Sequence, residues 1–175
     1  MKKFYMLWCA LVSVSVFAQD YNASLIPENL LKDDNAVVRE SAEDYVLKSV
    51  KELQVKQTHA VTILNSAGDE FSTVVIPYNP NTKVSSIKVE VYDAAGKLSK
   101  TYSKKDFNDY TNNPSAALYV DDRILVLRPM SSQYPYTVKS YYETTTSNTV
   151  YLNYFRPVTS YDMSVQKSTF TVLNS

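Results

Sequence analysis

The alternation of apolar and polar residues along this chain predicts β-strands rather than helices. The clearest case is the segment 53–64, where every second side chain would point to the same face of a strand. One face would carry Leu53, Val55, Gln57, His59, Val61 and Ile63. Further segments of strand character lie at residues 37–48, 71–78, 87–91, 98–102, 150–155 and 160–173. Their short spacing, without a long helical period, predicts an all-β fold.

The segment 119–143 contains the longest apolar run that follows the first twenty residues. This run, 124–127, is short and ends at Arg128 and Pro129, which predicts a strand buried on both faces. A second strand is expected at 136–143. Because the connection is short, we expect the two strands to form an antiparallel hairpin at the centre of a sheet.

Turn residues separate the other predicted strands. The turns 65–69 and 93–97 each contain a glycine and predict two more hairpins, with Gly68 in a left-handed conformation. Residues 108–115 have the composition of a loop. The apolar phase changes within the last strand, which predicts a β-bulge near Ser168.

Helical signals are few and short. Ser103 and Asp106 stand at capping-box spacing, which predicts one or two helical turns after Ser103. A proline near its start predicts a second short helix within residues 24–34. Together these patterns predict an all-β fold, an antiparallel β-sandwich or open barrel with one or two short helices.

Residues 1–19 have the pattern of a secretory signal peptide. Two lysines precede an apolar stretch, and small residues fit cleavage after Ala18 or Gln19. The alternative is a transmembrane anchor, but the apolar stretch is shorter than the ~20 residues that a spanning helix needs. We therefore expect an exported protein, periplasmic or extracellular, without a membrane span in its mature form.

Cleavage would change the composition of the protein. The only cysteine would leave with the signal, and with it any disulfide, thiol nucleophile or cysteine metal ligand. Loss of two lysines leaves 16 basic residues against 18 acidic ones, a net charge of −2, which gives no electrostatic footprint for nucleic acid. Residues 20–175 are expected to form one domain.

The last predicted strand ends at Leu173, two residues before the sequence does. Either a buried strand closes the domain at this point, or the domain is cut short at its C-terminal end. We expect the second.

His59 is the only histidine and thus the only imidazole that could act as a general base or metal ligand. No second ligand stands at a metal-site spacing, and no G-x-S-x-G serine motif is present. Asp121 and Asp122 could bind calcium, but adjacent strand residues point to opposite faces. We expect them to cap the central strand, with Arg123 as an ion partner. The sequence thus predicts no catalytic residue, metal or cofactor.

The tyrosines are the remaining candidates, because fifteen are many for this length. Tyr134, Tyr136, Tyr141 and Tyr142 form a candidate ligand surface, since their rings could stack on sugars. The alternative is that they pack in the sheet with their hydroxyl groups at its rim.

Four stretches of the sequence resemble one family. They are LIPENLLKDDNAVVR, HAVTILNSAGDEFSTVVIPY, IKVEVYDAAGKL, and DDRILVL followed by QYPYTVKSYYE. Together they are similar to the domain of unknown function that stands N-terminal to a transglutaminase-like domain in exported bacterial proteins. The resemblance, which runs from about Leu25 onward, implies a β-sandwich that continues beyond this chain. A papain-like Cys-His-Asp module often follows in the family, but its residues are missing here and none can be carried over.

We therefore expect a non-catalytic exported domain with a structural or interaction role, of the type that accompanies a transglutaminase-like domain, downstream or separate. The alternative is a glycan-binding module with a tyrosine platform. Exposed, coplanar tyrosines would favour the alternative, whereas buried or scattered ones would favour the first interpretation.

Overall fold

A computed structural model describes residues 20–112 and 121–174, so the predicted signal peptide lies outside the described residues. The strands are β1 (Ala36–Ser49), β2 (Glu52–Ile63), β3 (Val74–Tyr78), β4 (Thr82–Tyr92), β5 (Leu98–Ser103), β6 (Asn108–Thr111), β7 (Arg123–Leu127), β8 (Tyr136–Thr146), β9 (Met163–Val165) and β10 (Ser168–Asn174). Short 3-10 helices span Ala23–Leu25, Glu28–Leu30, Ser66–Ser72 and Lys104–Asp106. None of these helices has the length and apolar character that crossing a membrane requires.

The described strands form two sheets. The large sheet has the order β10-β1-β2-β8-β4-β5, and β9 also pairs with β1. Strands β9 and β10 run parallel to β1, whereas the other neighbours in this sheet are antiparallel. The small sheet, β3-β7-β6, is antiparallel. The all-β, sandwich-like prediction is thus confirmed.

The predicted central hairpin was wrong. Strand β7 lies between β3 and β6 in the small sheet, whereas β8 lies between β2 and β4 in the large one. The reason is strand length. Strand β8 pairs with β2 along its whole length, whereas β7, with five residues, could satisfy only part of the backbone of β8. Burial on both faces was also wrong, since Leu125 and Leu127 are buried while Ile124 and Val126 are half-buried.

The predicted hairpin around residues 65–69 was also wrong. A 3-10 helix, Ser66–Ser72, occupies the turn, and β3 joins the small sheet instead of pairing with β2. Gly68 does not have the expected left-handed conformation. A Cβ atom on it would lie 2.3 Å from the backbone oxygen of Asn35, so glycine is needed there for close approach.

Predictions that depend on neighbouring residues agree with the structure. Strands β1 and β2 occupy the expected segments, and the β4–β5 hairpin turns at Gly96, whose φ is 80°. Ser103 and Asp106 form the predicted capping box before a single 3-10 turn. The last predicted strand is divided into β9 and β10, but both keep the same register along β1, so the predicted β-bulge near Ser168 was wrong.

Three segments differ from their predictions. Residues 24–34 contain two separate 3-10 turns rather than one short helix. The segment 150–155 lies in irregular backbone rather than in a strand. The predicted loop 108–115 begins with β6, and its part from residue 113 lies outside the described residues.

The hydrophobic core lies between the two sheets. Its buried side chains come from both inner faces: Ala36, Val38, Val61, Ile63, Val74, Ile76, Val89, Val91, Leu125, Leu127, Tyr136, Val138 and Met163. A smaller buried cluster of Tyr45, Leu53 and Val55 lies at the far end of β1 and β2. The main core is therefore confined to one end of the large sheet.

The outer face of the large sheet is covered at that same end by the N-terminal segment, residues 20–34. The ring of Tyr21 packs on Tyr92 at 4.9 Å between centroids. The guanidinium group of the buried Arg39 donates to the backbone oxygens of Asp20 and Asn22, each at 3.3 Å. Both faces of this end are thus shielded from water.

The alternation of burial in β7 makes a prediction about stability. Leu125→Ala removes a core side chain and should cost about 2–5 kcal/mol of unfolding free energy. Val126→Ala, the matched control on the other face, should cost at least about 1 kcal/mol less, because that face is half-exposed. Urea denaturation of both variants measures the difference. Equal losses would contradict the one-sided burial of β7.

Candidate functional site

The small sheet covers only part of the inner face of the large sheet. Strands β3 and β7 have five residues each, whereas β1 has fourteen. Beyond the small sheet, residues 147–162 cross the rest of this face as irregular backbone, which we call the crossing segment. Its Phe155 packs on Phe170 of β10, with ring centroids 5.5 Å apart. A cleft remains between the large sheet, the small sheet and the crossing segment.

This inter-sheet cleft consists of three adjoining cavities of roughly 240, 260 and 260 Å³. Gln57 lines all three, and Tyr142 lines the first two. The first cavity is closed by Arg156 and the third by Asn153, both from the crossing segment. The cleft therefore follows β2 and β8 along the sheet rather than entering its core.

His59 lies in the first cavity. Its strand neighbours in register are Ser41 on β1 and Ser140 on β8. The hydroxyl of Ser140 donates to the backbone oxygen of His59 at 3.3 Å, not to its ring. No side chain of the described residues bonds the imidazole. Burial lowers the pKa of His59, so the ring is neutral at neutral pH.

Glu43 and two tyrosines continue the polar lining. Burial raises the pKa of the Glu43 carboxyl, which accepts a hydrogen bond from the hydroxyl of Tyr45 at 2.9 Å. The hydroxyl of Tyr142 donates to the side-chain oxygen of Gln57. Burial also raises the pKa of both tyrosines, which keeps their hydroxyl groups protonated. The two tyrosines thus give the cleft neutral hydroxyl groups that donate and accept hydrogen bonds.

The four tyrosines of the predicted ligand surface are not brought together. Tyr142 lies in the cleft, whereas Tyr141, the next residue of β8, points to the opposite face and bonds Glu143. Tyr136 is buried in the core. Its ring is tilted by 46° against that of Tyr134, and both hydroxyl groups donate to Asp69. They form no coplanar row.

Asp122, the second member of the acidic pair before β7, has a structural partner. The side-chain amide of Asn79 donates to Asp122 at 3.1 Å. Arg123 forms its ion pair with Asp109, at 3.0 Å, instead of with the adjacent aspartates as expected. Within residues 20–112 and 121–174, no group of three or more His, Cys, Asp or Glu residues could hold a metal ion.

The sequence reasoning missed an exposed apolar surface at one edge of the large sheet. Strand β10 is the edge strand, and it exposes Phe170, Val172 and Leu173. The neighbouring crossing segment exposes Val150, Tyr151 and Tyr154 among others. The apolar positions of both segments are visible in the sequence, but their exposure depends on sheet topology.

Comparison with protein families identifies residues 51–174 as a match to the Domain of Unknown Function with a solved structure, DUF3857. No curated protein matches the chain. The matched residues include every described strand except β1, and they line most of the cleft.

Two solved structures are similar to this chain. A candidate protease from Parabacteroides distasonis has 16% identity and a TM-score of 0.54, over 64% of this chain and 23% of its own. A candidate nutrient-binding protein from Legionella pneumophila has 11% identity and a TM-score of 0.29, over 66% of this chain and 40% of its own. The first likeness shows a shared fold. The chain spans less than a quarter of that protein and under half of the second.

The half-buried imidazole of His59 predicts a pH dependence of stability. Unfolded chains bind the proton of His59 at its ordinary pKa of 6.5, but the folded protein binds it only at lower pH. The unfolding free energy should therefore fall as the pH drops below 6.5, down to the folded pKa. Glu43 contributes an opposite slope, because its folded pKa is raised above 4.5 and stability falls as the pH rises through that window.

The variant His59→Gln isolates the contribution of the histidine. Between pH 7.5 and pH 5.5, the urea midpoint of the wild type should fall further than that of the variant. Glu43 is present in both proteins, so its contribution is the same. Parallel pH profiles would mean that the imidazole titrates alike in the folded and unfolded chains.

Proposed function

Since the chain belongs to the DUF3857 family of domains of unknown function, we propose that it is a non-catalytic domain of an exported protein that binds another protein domain. A transglutaminase-like domain, downstream or separate, is the partner that the sequence resemblance favours. The exposed apolar edge formed by β10 carries the proposal.

Strand β10 lacks the features that normally protect a sheet edge. Its outer backbone groups pair with no described strand, and Ser168–Asn174 contains no charged residue. Val172 and Leu173 are each 54% exposed. Natural edge strands are usually protected by lysines, prolines, bulges or short length, because an open edge pairs readily with another strand. This edge is therefore suited to accept a strand from a partner.

The crossing segment extends the same surface. Phe155 packs on Phe170, which places this part of the segment against β10, and the segment exposes further apolar side chains. Exposed apolar side chains grouped in this way are typical of a protein–protein contact. A partner strand added to β10 could bury part of the crossing segment as well.

Two observations support a non-catalytic role. Among the described residues, no side chain bonds the imidazole of His59, although a general base that activates a nucleophile needs it within hydrogen-bond reach. In the P. distasonis protein, the matching fold is 23% of a longer chain, so there it stands beside other parts.

A photo-crosslinking residue at position 172 tests the edge proposal. In the native host it should form adducts with another polypeptide or with another part of the same one. The control is position 98 on β5, the opposite edge strand, where Leu98 is 48% exposed against 54% for Val172. Adducts that are as abundant from position 98 as from 172 would contradict a specific role of β10.

Export is tested separately. N-terminal sequencing of the protein from its native host should begin at Gln19 or Asp20, because small residues precede these positions. Intact Met1 in a cytoplasmic fraction would overturn the export part of the proposal without affecting the edge.

A further inference from the structure

The floor of the inter-sheet cleft lies on β2 and β8, away from the edge strand β10, and the interaction role makes no use of this floor. The crossing segment borders both the cleft and the edge. We propose that this cleft is a binding site for an uncharged oligosaccharide. The inference rests on the chemistry of the lining side chains, on their charge and on the shape of the cleft.

Side-chain amides and hydroxyl groups dominate the part of the cleft beyond Gln57. Asn79 and Asn153 supply amides, while Thr144 and Thr146 supply hydroxyl groups. Amides and hydroxyl groups both donate and accept hydrogen bonds, as sugar hydroxyl groups do. A ligand with many alternating donors and acceptors on a small frame therefore complements this lining.

The charge of the cleft favours a neutral ligand. The third cavity has no charged residue in its lining. The first is lined by one residue of each sign, Glu43 and Arg156, so its formal charges balance. In the second, Arg123 is paired with Asp109, and Asp122 accepts a hydrogen bond from Asn79. Without an excess of positive charge, the cleft gives no special attraction to acidic polysaccharides or other anions.

Apolar side chains in the same cavity complete the match. Tyr45, Leu53 and Val55 form one wall of the third cavity, and Tyr151 lines it from the crossing segment. Tyr151 is 77% exposed, so its ring is free to pack against a ligand. The C–H face of a sugar ring is apolar and stacks on such an aromatic surface, while its hydroxyl groups bond at the edge.

The shape of the cleft favours a glycan over a peptide. Its floor is the face of β2 and β8, whose backbone groups are paired with neighbouring strands. An extended peptide is normally bound through the free backbone groups of an edge strand, which this floor lacks. From Leu53 to His59 the floor measures about 20 Å at ~3.3 Å per residue, which is long enough for several sugar rings.

Isothermal titration of the full exported chain tests the proposal. The probes are maltotetraose, cellotetraose and N-acetylchitotetraose, with tetragalacturonate as the charged counterpart and tetra-alanine as the peptide. We expect saturable binding of at least one neutral tetrasaccharide. Binding of none, or stronger binding of tetragalacturonate or tetra-alanine, would overturn the proposal.

Substitutions in the crossing segment locate the bound sugar. Tyr151→Ala and Asn153→Ala change exposed side chains that line the cleft, so the fold should persist, and each should weaken binding by about tenfold. Tyr154→Ala is the matched control, because Tyr154 is 90% exposed and lines none of the three cavities. An equal loss in the control would place the sugar outside the cleft. Crosslinking from position 172 is a separate readout, so either proposal can fail alone.

Discussion

The unequal lengths of the strands in the two sheets determine most of this structure. A sheet with an apolar face must be covered, but strands of five residues cannot cover strands of eleven to fourteen. The small sheet therefore shields only the end of the large sheet that carries Ile63, Val138 and Tyr136, and the main core is there. Beyond that end the inner face has a polar stretch at Gln57 and His59, followed by the small apolar cluster, and irregular backbone crosses it. One geometric constraint thus produces both the core and the cleft.

Polar residues in the cleft are tolerable because most of them have partners. Burying an unpaired polar group costs free energy, so the bonds from Tyr45 to Glu43 and from Tyr142 to Gln57 reduce the cost of partial burial. The imidazole of His59 has no such bond within the described part of the chain. A row of well-packed apolar side chains would be more stable at these positions. Partly satisfied polar surface in a covered cleft is therefore what we expect where binding, not stability, determines the residues.

Local patterns in the sequence predict the local parts of this fold. The alternation in β1 and β2, the glycine turn between β4 and β5 and the capping box at Ser103 all depend on residues that are close in sequence, and each was found. Sheet membership depends on contacts between distant residues. The short connection between β7 and β8 in the sequence favoured a hairpin, yet each strand pairs with other strands of similar length. The role of Gly68 also depends on a distant residue, because the backbone that it approaches closely belongs to Asn35.

Polar residues mark the position of the cleft in the sequence, but the alternation within a single strand does not show what they mean. On the inner face of β2, apolar positions are interrupted by Gln57 and His59. The registers place Ser41 and Glu43 of β1 and Ser140 and Tyr142 of β8 beside the same two positions. A polar gap in one strand is ordinary, but a gap at the same level in three adjacent strands means that this part of the face is not packed against another sheet. Only the strand registers reveal that alignment. The polar residues of the cleft are therefore visible in the sequence, but the sequence does not show that they lie side by side in one site.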